Sequence, residues 1–450
     1  MQPKIALLLC IIFTAYLLKL DHKRSSGVSY ALWIPAIWMM ISGSRMISLW
    51  FTQGSDNISS ASYIEGSPID RMIYIVLIIV AGIVLFQRNV KWTAIFNNNR
   101  WIMLLYVYGG ISILWSDFPL VSLKRHLKDI GYLLMVLVVL TDRYPAEAVT
   151  ALIRRFTYIL VPLSLILYKY YPSYGRSYHP HNGELMVTGV STGKNGLGLL
   201  CVISGIFLFW QILSSWRRMI TLTMKKEMLT DCLILSITLW LLIKVDSATA
   251  LVVSIVGIGL LLGFNTSVFE RNKYRIGRSL VFGLILLTPL MFIGHDFILH
   301  SVVNLTGHED TFWGRVGMWP ELIDIMGASH IIGTGYESFW LGERMERLWI
   351  QFMWLPKEAH NGFVDTFLTL GYIGLVLLTG IIITTYNKIS RRFTVDYNFG
   401  QIAMTFFVLA LLYNISESSL MGGPIWFAFL LFAVECCRPS TRFRREKILS

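Results

Sequence analysis

The chain has 450 residues, of which 55% are hydrophobic and only 15% are charged, whereas about 25% are charged in a typical soluble domain. Many apolar runs reach about 18 residues, the length that a helix needs to cross a bilayer. An ordinary soluble fold is therefore excluded. Because these runs do not alternate as barrel strands do, they predict an all-α polytopic membrane protein. Most of the formal charge of +12 lies in short loops between apolar runs, so it indicates topology and we expect no nucleic-acid partner.

Taken in chain order, the apolar runs predict about 12–13 transmembrane helices in a single membrane domain that covers residues 1–450. The predicted spans are 4–20, 29–50, 70–87, 101–116, 127–141, 149–170, 195–214, 228–244, 248–265, 278–297, 362–386, 400–416 and 420–437. No small-residue cleavage site follows the first run, so we expect a retained span rather than a signal peptide. Without this span, the chain would have 12 spans with both ends inside.

Strict alternation of the spans places the main basic clusters on one side of the membrane, which the positive-inside rule identifies as cytoplasmic. These clusters are 22–24, 88–100, 217–226, 271–278, 388–392 and 438–447. Three loops of interest then lie outside: 117–128, 171–194 and a large loop, 298–361. A loop of this length is usually either functional or disordered, and its tryptophans argue against disorder.

Cationic side chains occur in all three outer loops, on the side of the membrane where basic residues are rare. They are Lys124, Arg125, Lys128, Arg176, Lys194 and Arg315. Cations held outside the membrane suit an anionic ligand. A diphosphate needs two or three charge-assisted contacts, and arginine supplies them as a fork. The alternative is that these cations bind lipid headgroups or carboxylates of the loops.

His360 stands where the large loop meets the predicted span 362–386, near the unpaired N–H groups of the first helical turn. The positive end of the helix dipole disfavours the imidazolium form, so we expect a neutral imidazole that can take a proton from a hydroxyl. The alternative is a polar residue that only marks the membrane boundary. Asp365 and Glu358 flank His360 in the sequence, and either is a candidate to orient it.

Six short motifs follow one another between residues 100 and 435. They are Trp115-Ser-Asp-Phe-Pro-Leu-Val-Ser-Leu-Lys-Arg125, Thr192-Gly-Lys-Asn-Gly-Leu-Gly198, Asp246-Ser-Ala-Thr-Ala250, Gly314-Arg315 with Trp319 and Gly333-Thr-Gly-Tyr336, His360-Asn361 with Gly371-Tyr-Ile-Gly374, and Ile415-Ser-Glu-Ser-Ser-Leu420. In type and order they resemble the O-antigen ligase and polysaccharide polymerase family, especially its exopolysaccharide polymerase branch.

The resemblance implies a bacterial inner-membrane enzyme that transfers glycans from undecaprenyl diphosphate on the periplasmic face. His360 matches the proposed base of the family and Arg315 matches its loop arginine, so we expect both to be catalytic. Ligases of the family also carry an arginine in an earlier outer loop, and either Arg176 or Lys194 fills that position here. The residues predicted to bind the diphosphate or the sugars are Lys194, Arg176, Arg125, Lys124, Asn361 and Trp319.

The expected reaction is a single displacement that inverts the anomeric carbon. His360 deprotonates an acceptor hydroxyl, the hydroxyl attacks the donor, and the polyprenyl diphosphate leaves. Arg315, Lys194 and Arg176 would stabilise the charge that grows on the diphosphate. Because the diphosphate leaves as an anion and side chains supply the cations, we expect no metal and no other cofactor. The cluster 308–310 (His-Glu-Asp) is interpreted as solvated loop, since adjacent residues rarely converge on one ion.

The favoured function is polymerisation of undecaprenyl-diphosphate-linked repeat units of an exopolysaccharide or O-antigen, with a glycan as acceptor. The alternative is a ligase that transfers the finished glycan to lipid A-core or another acceptor. The third possibility, a polysaccharide or lipid transporter, would show broken spans in related halves, and the sequence does not indicate them. Membrane lipids surround the chain, and a chain-length regulator and a flippase are candidate partners.

Three further features have structural interpretations. Arg45 falls within the predicted span 29–50, where an arginine is a functional candidate, but its place near the outer end favours snorkelling to the interface. Glu343 and Arg347 are spaced as an i,i+4 pair on a short amphipathic helix. The tryptophans of the large loop can either stack on sugar rings or anchor at the membrane interface.

Overall fold

The computed structural model describes residues 2–51, 66–178, 183–216, 222–266, 283, 313–352 and 356–436, and for residues 222–224 and 313–316 it describes the backbone alone. Most of these residues are helical. The α-helices are α1 (Pro3–Arg24), α2 (Trp33–Ser42), α3 (Pro68–Gln87), α4 (Trp92–Asn98), α5 (Arg100–Ser112), α6 (Pro119–Leu140), α7 (Pro145–Tyr170), α8 (Pro172–Gly175), α9 (Lys194–Trp216), α10 (Leu222–Val245), α11 (Ala248–Phe264), α12 (Trp313–Met326), α13 (Gly342–Gln351), α14 (Gly362–Val395), α15 (Tyr397–Ser416) and α16 (Gly423–Ala433). An antiparallel hairpin of β1 (Arg176–Tyr178) and β2 (Leu185–Val187) lies between α8 and α9.

Seven helices in the described part of the chain are long and apolar enough to cross a membrane: α1, α3, α7, α9, the Lys225–Val245 part of α10, α14 and α15. Four apolar helical segments are shorter: Tyr30–Ser42, Arg100–Trp115, Ala248–Phe264 and Gly423–Ala433. The prediction of an all-α polytopic membrane protein is confirmed. The predicted span 278–297 lies outside the described residues except at 283, so the total of 12–13 spans stays a prediction.

The helices differ in how much of their surface is buried. α1 and α3 expose large apolar side chains along their length, among them Leu8, Ile12, Ile75 and Ile79, as helices that face lipid do. By contrast, α15 and α16 are buried over nearly their whole length. Together with α7 and α9 they contribute about half of the buried residues of one large apolar core.

Several observed helix boundaries differ from the predicted spans, including the end of α2 and the start of α6. The second helix ends at Ser42, with Gly43 as its C-cap, although the predicted span continued to residue 50. α6 begins at Pro119, because proline favours the first position of a helix. Lys124 and Arg125 therefore lie on the first turns of α6, and not in an extended outer loop over residues 117–128.

Arg45 lies just beyond the end of α2 and bonds to backbone carbonyls of the predicted second outer loop. Its Nη2 donates to the carbonyl oxygens of Gly189 (3.2 Å) and Ser191 (2.8 Å). The guanidinium also lies over the ring of Trp50, 5.0 Å from its centroid. These loop carbonyls supply polar partners for the guanidinium, and the expectation that Arg45 snorkels to the membrane interface stays a prediction. Arg45 therefore holds the second outer loop against the bundle.

α14 is broken inside its membrane-crossing segment. Gly371 has φ +64° and ψ −162°, a conformation that side chains with a Cβ rarely adopt. Backbone groups near the break bond to the segment 330–335 of the large loop. The Thr334 N–H, for example, donates to the Leu368 carbonyl over 3.0 Å. The large loop thus enters the bundle and supplies the hydrogen bonds that the broken helix lacks.

The glycines of two sequence motifs make this insertion possible. A Cβ on Gly371 would lie 2.3 Å from the carbonyl oxygen of Ile331, and a Cβ on Gly333 would lie 2.2 Å from that of Thr369. No side chain fits at either distance. The Gly-x-Gly motif at 333–335 and the Gly-Tyr-Ile-Gly motif at 371–374 therefore pack directly against each other.

The described part of the large loop has a small core of its own, which packs on the N-terminal part of α14. Its buried members are Met318, Trp319, Leu322, Met326, Phe339, Trp340, Leu348, Ala359, Val364, Phe367 and Leu368. The short amphipathic helix predicted around Glu343 and Arg347 is observed as α13. The Tyr336 hydroxyl donates to Asp129 of α6 over 2.7 Å, and burial raises the pKa of this phenol well above its usual range. These contacts hold the described part of the large loop in a fixed structure against the bundle.

One end of the bundle contains a dense set of buried charges, which we call the Arg24 network. Its members are Asp21, Arg24, Arg154, Arg155, Gln211 and Asp231. Asp21 accepts hydrogen bonds from both Arg154 and Arg155 at 2.7 Å. Asp231 accepts from Arg24 at 2.9 Å. The network joins α1, α7, α9 and α10.

Candidate active site

His360 lies at the other end of the bundle, where α9 and α14 begin and α15 ends. Along α9, Lys194 is separated from Gln211 of the Arg24 network by about 25 Å, at 1.5 Å per residue. The His360 side chain is 16% exposed, and its backbone has φ +51°. Such a conformation is uncommon for a residue other than glycine, so neighbouring contacts must hold it.

Asn361 fixes the chain immediately after His360. Its side-chain oxygen caps α14 by accepting from the N–H groups of Phe363 (3.0 Å) and Val364 (3.2 Å). Its amide donates to the carbonyl of Ile415 over 3.1 Å, and the residue is 1% exposed. An N-cap of this kind satisfies helix N–H groups that would otherwise lack a partner. The structure thus gives Asn361 a positioning role, while its predicted contact with substrate stays a prediction.

Two carboxylates approach the same nitrogen of His360. Glu358 Oε1 lies 3.1 Å from Nδ1 and Glu417 Oε2 lies 3.3 Å from it. The two carboxylates differ in exposure, since the Glu358 side chain is 38% exposed and that of Glu417 is 8% exposed. The other oxygen of Glu417 accepts from the Asn195 amide over 2.6 Å. Glu417 therefore connects the histidine to the first turn of α9.

The same three groups are also the candidate metal ligands in the described part of the chain. One ligand atom from each of Glu358, His360 and Glu417 lies within 4.8 Å of the others. A nitrogen and carboxylate oxygens at such spacing suit a divalent cation such as zinc or manganese. The expectation of a metal-free site stays a prediction. The cluster 308–310 lies outside the described residues.

Asp365 supports the loop that carries His360. Its carboxylate accepts from the indole N–H of Trp340 (2.7 Å) and from the backbone N–H of Ala359 (3.2 Å). It also accepts from the hydroxyl of Ser418. Of the two acidic residues predicted to orient the histidine, Glu358 lies beside the ring, whereas Asp365 acts on the backbone one residue before it.

Trp319 and Arg315 lie on α12, which packs next to the histidine loop. The indole N–H of Trp319 donates to the carbonyl of Ala359 over 3.0 Å, and the residue is 3% exposed. This burial makes Trp319 a support for the loop, and its predicted contact with a sugar stays a prediction. Arg315 precedes Trp319 by one turn on the same face of α12, so its Cα lies on the side of the helix that meets the loop. Its side chain is outside the described set.

The remaining predicted cations have different surroundings. Arg176 donates from Nε to the Tyr168 carbonyl over 2.9 Å and lies over that residue's ring. Arg125 donates to the Glu337 carbonyl over 2.9 Å, and Lys124 is exposed. Lys194, by contrast, is half-buried at the start of α9, directly before Asn195.

The first turns of α9 and α11 pack side by side near His360. A Cβ on Gly198 would lie 2.9 Å from that of Ala250 and 3.4 Å from that of Ser247. The two helix N-termini are therefore adjacent, and Asn195 of α9 is connected through Glu417 to His360 at the N-terminus of α14. Helix N-termini favour negative charge. This end of the bundle consequently has a positive backbone potential beside a histidine and two carboxylates.

Sequence reasoning did not identify two members of this site. Glu417 was noted only within the closing motif, and it is separated from His360 by 57 residues. Asn195 was noted only as the neighbour of Lys194. The motifs that contain them were the available signal, because three of the six motifs are linked by the contacts of Glu417 with His360 and Asn195.

Comparisons with known proteins agree with the motifs. Residues 232–379 match the family model described as O-Antigen ligase. The chain is also 25% identical over 300 residues to the exopolysaccharide production protein ExoQ of Rhizobium meliloti (strain 1021). That similarity covers 64% of this chain and 64% of the relative, slightly less than two thirds of the relative's length. The predicted family resemblance is confirmed.

Proposed function

We propose that this chain, as a member of the O-antigen ligase and polysaccharide polymerase family, is a glycosyltransferase that joins lipid-linked glycans. In this proposal the donor glycan is carried on undecaprenyl diphosphate, and the acceptor is a hydroxyl of a second glycan. The His360 end of the bundle faces the periplasm of a bacterium and the Arg24 network faces its cytoplasm. The positive-inside distribution of the basic clusters supports this orientation.

The connection of three distant segments through Glu417, which contacts both His360 and Asn195, is the observation that supports the proposal most strongly. The histidine comes from the loop before α14, Glu417 from the turn after α15, and Asn195 from the first turn of α9. Each belongs to a motif of the resemblance. A polar marker of the membrane boundary would not require a buried carboxylate that links it to another segment, so the arrangement favours a catalytic site.

His360 acts as the general base in the proposed reaction. It removes the proton of the acceptor hydroxyl as the oxygen attacks the anomeric carbon of the donor, and the bond from that carbon to the diphosphate oxygen breaks. The electron pair of the broken bond leaves with the diphosphate. Because attack and departure occur on opposite faces of the carbon, the anomeric configuration inverts. A positioned base of this kind contributes about 10²–10⁴-fold to a rate.

The leaving diphosphate is stabilised by positive charge on the proposed site. Lys194 stands at the first turn of α9, where the side-chain ammonium and the helix N–H groups can act on one anion. Arg315, on the face of α12 that meets the histidine loop, is the proposed second cation. Arg176 already bonds to a backbone carbonyl, so we assign the nearer contact to Lys194. Side-chain cations of this kind replace a metal ion in the proposal.

Polymerisation of exopolysaccharide repeat units is the proposed form of the reaction, supported by the name of the relative, an exopolysaccharide production protein. Ligation of a finished glycan to lipid A-core or another acceptor is the second candidate, supported by the description of the family model, O-Antigen ligase. The two reactions share the donor chemistry and differ in the acceptor.

An in-cell experiment tests the function and separates the two forms. His360→Ala is expressed in a strain that lacks the native protein, with His22→Ala, an exposed histidine at the other end of the bundle, as the matched control. Surface polymer is resolved on gels and protein level by blotting. A polymerase predicts loss of long chains while single repeat units persist, and a ligase predicts long chains stalled on the lipid carrier. Normal polymer from well-expressed His360→Ala would refute the function proposed for this site.

A further inference from the structure

We propose that Glu417 is the positioning residue that sets which imidazole nitrogen of His360 accepts the proton, and that Asn195 couples this base to the donor side of the site. The inference rests on the proposed function, since it assigns roles around the base of that reaction. It adds two residues that no motif-based expectation placed in the chemistry.

The burial of Glu417 distinguishes it from the other carboxylate at the ring. Its side chain is 8% exposed, whereas that of Glu358 is 38% exposed. A buried carboxylate is costly unless each oxygen has a polar partner. One oxygen accepts from the Asn195 amide over 2.6 Å, and the other lies 3.3 Å from His360 Nδ1. Glu417 is therefore held between two fixed partners, while Glu358 remains partly in water.

The position of these carboxylates selects a tautomer of the imidazole. A carboxylate accepts hydrogen bonds and donates none when it is ionised, so the nitrogen beside it carries the hydrogen. With the hydrogen on Nδ1, the lone pair that can take the acceptor's proton is on Nε2. The negative charge of Glu417 also stabilises the imidazolium that forms once the proton has moved, as a buried carboxylate does for a catalytic histidine.

Asn195 connects this arrangement to the proposed diphosphate contact. It follows Lys194 directly in the first turn of α9, and its own carbonyl accepts from the Tyr413 hydroxyl over 3.1 Å. A diphosphate held at this turn would order the same residues that hold Glu417. Donor binding and alignment of the base are thus coupled through one side chain, and the base is correctly oriented when the donor is in place.

The other charged groups around the imidazole define the controls. Glu358 approaches Nδ1 from the loop, Lys194 stands beside Asn195, and Asp365 bonds to the backbone of Ala359. Removing the charge of Glu417 with the isosteric change Glu417→Gln leaves these groups in place. Glu346→Gln, an exposed position on α13, is the matched control with no expected effect.

The experiment measures transfer by the full chain in membrane vesicles, with lipid-linked repeat units extracted from a strain that lacks the protein. For Glu417→Gln we expect kcat to fall about 100-fold, within the range of a general base, with little change in KM for the donor. Glu417→Asp should restore part of the rate, and Asn195→Ala should lower kcat and raise KM for the donor together.

The outcomes separate this inference from the function on which it rests. If His360→Ala is inactive but Glu417→Gln keeps the wild-type rate, the base remains and the role of Glu417 is refuted. A fall in kcat that Glu417→Asp does not partly restore would also refute it, since a purely structural role would produce that result. If His360→Ala is itself active, the proposed function is refuted, whatever the Glu417 variants do.

Discussion

The two ends of the bundle use the same types of charged residue for different purposes. In the Arg24 network, arginines and carboxylates meet at 2.7–2.9 Å and are almost completely buried. At the His360 end, two carboxylates converge on one imidazole nitrogen. The Lys194 side chain there has no hydrogen bond or ion pair within the described ranges. One end is a closed set of ion pairs that joins helices, and the other keeps charge available for a ligand.

The comparison shows why charge alone does not identify a site in a membrane protein. Burying ions costs several kcal/mol each unless they are paired, so a completed network mainly avoids this cost. By contrast, a histidine at a helix N-terminus has a defined ring orientation when the carboxylate beside it is itself hydrogen-bonded to an amide. The two ends therefore differ in how their charged groups are arranged around each other, and not in the number of charges.

Breaking the Arg24 network should have the largest effect on stability. Asp21→Asn removes the carboxylate that accepts from Arg154 and Arg155 and leaves two buried cations poorly compensated. We expect a loss of about 3–5 kcal/mol, measured as a lower melting temperature of the detergent-purified protein and a lower level in membranes. Transfer activity per folded molecule should be unchanged. A stable but inactive Asp21→Asn variant would contradict the division of roles between the two ends.

Filling the break in α14 should damage the His360 end selectively. Gly371→Ala forces a side chain into a positive-φ position, 2.3 Å from the Ile331 carbonyl oxygen, and costs at least about 1–3 kcal/mol. We expect faster proteolysis within the large loop and lower transfer. Gly259→Ala in α11, where a Cβ meets no atom within 4 Å, is the control. Equal protease resistance of the two variants would show that the inserted loop does not depend on the glycine.

Removing the proposed diphosphate contact should weaken donor binding. Lys194→Ala deletes one charge-assisted contact, which is worth about 1.5–3 kcal/mol, so KM for the lipid-linked donor should rise about 10–100-fold. Arg176→Ala should have a smaller effect, because that guanidinium already bonds to the Tyr168 carbonyl. Lys23→Ala, an exposed position at the other end, controls for loss of positive charge. A larger effect from Arg176→Ala than from Lys194→Ala would reverse the assignment.

The smallest expected effect concerns the support beneath the histidine loop. Trp319→Phe keeps most of the buried ring but removes the hydrogen bond to the Ala359 carbonyl, at a cost of about 0.5–1.5 kcal/mol. We expect a slightly lower melting temperature and a modest fall in kcat, without a change in sugar specificity. An altered specificity would instead place Trp319 in contact with the glycan.

The sequence predicts the fold class and most membrane helices, because long apolar runs have few alternatives. It does not predict the break in α14, since Gly371 lies in an apolar run that is compatible with a continuous helix. His360, Lys194 and Asn361 were identified from motifs, and the structure places all three at one end of the bundle. Glu417 was missed as a site residue because its contact with His360 depends on α14 and α15 packing as antiparallel neighbours, which no local pattern encodes.

The rate of glycan transfer by purified, vesicle-embedded His360→Gln tests the central claim most directly. The donor is again lipid-linked repeat units extracted from a strain that lacks the protein, and folding is checked by the melting temperature. The account predicts a rate about 10²–10⁴-fold below that of the unmodified chain, with donor binding nearly unchanged. A folded variant that transfers glycan within about threefold of the unmodified rate would contradict the assignment of His360 as the base.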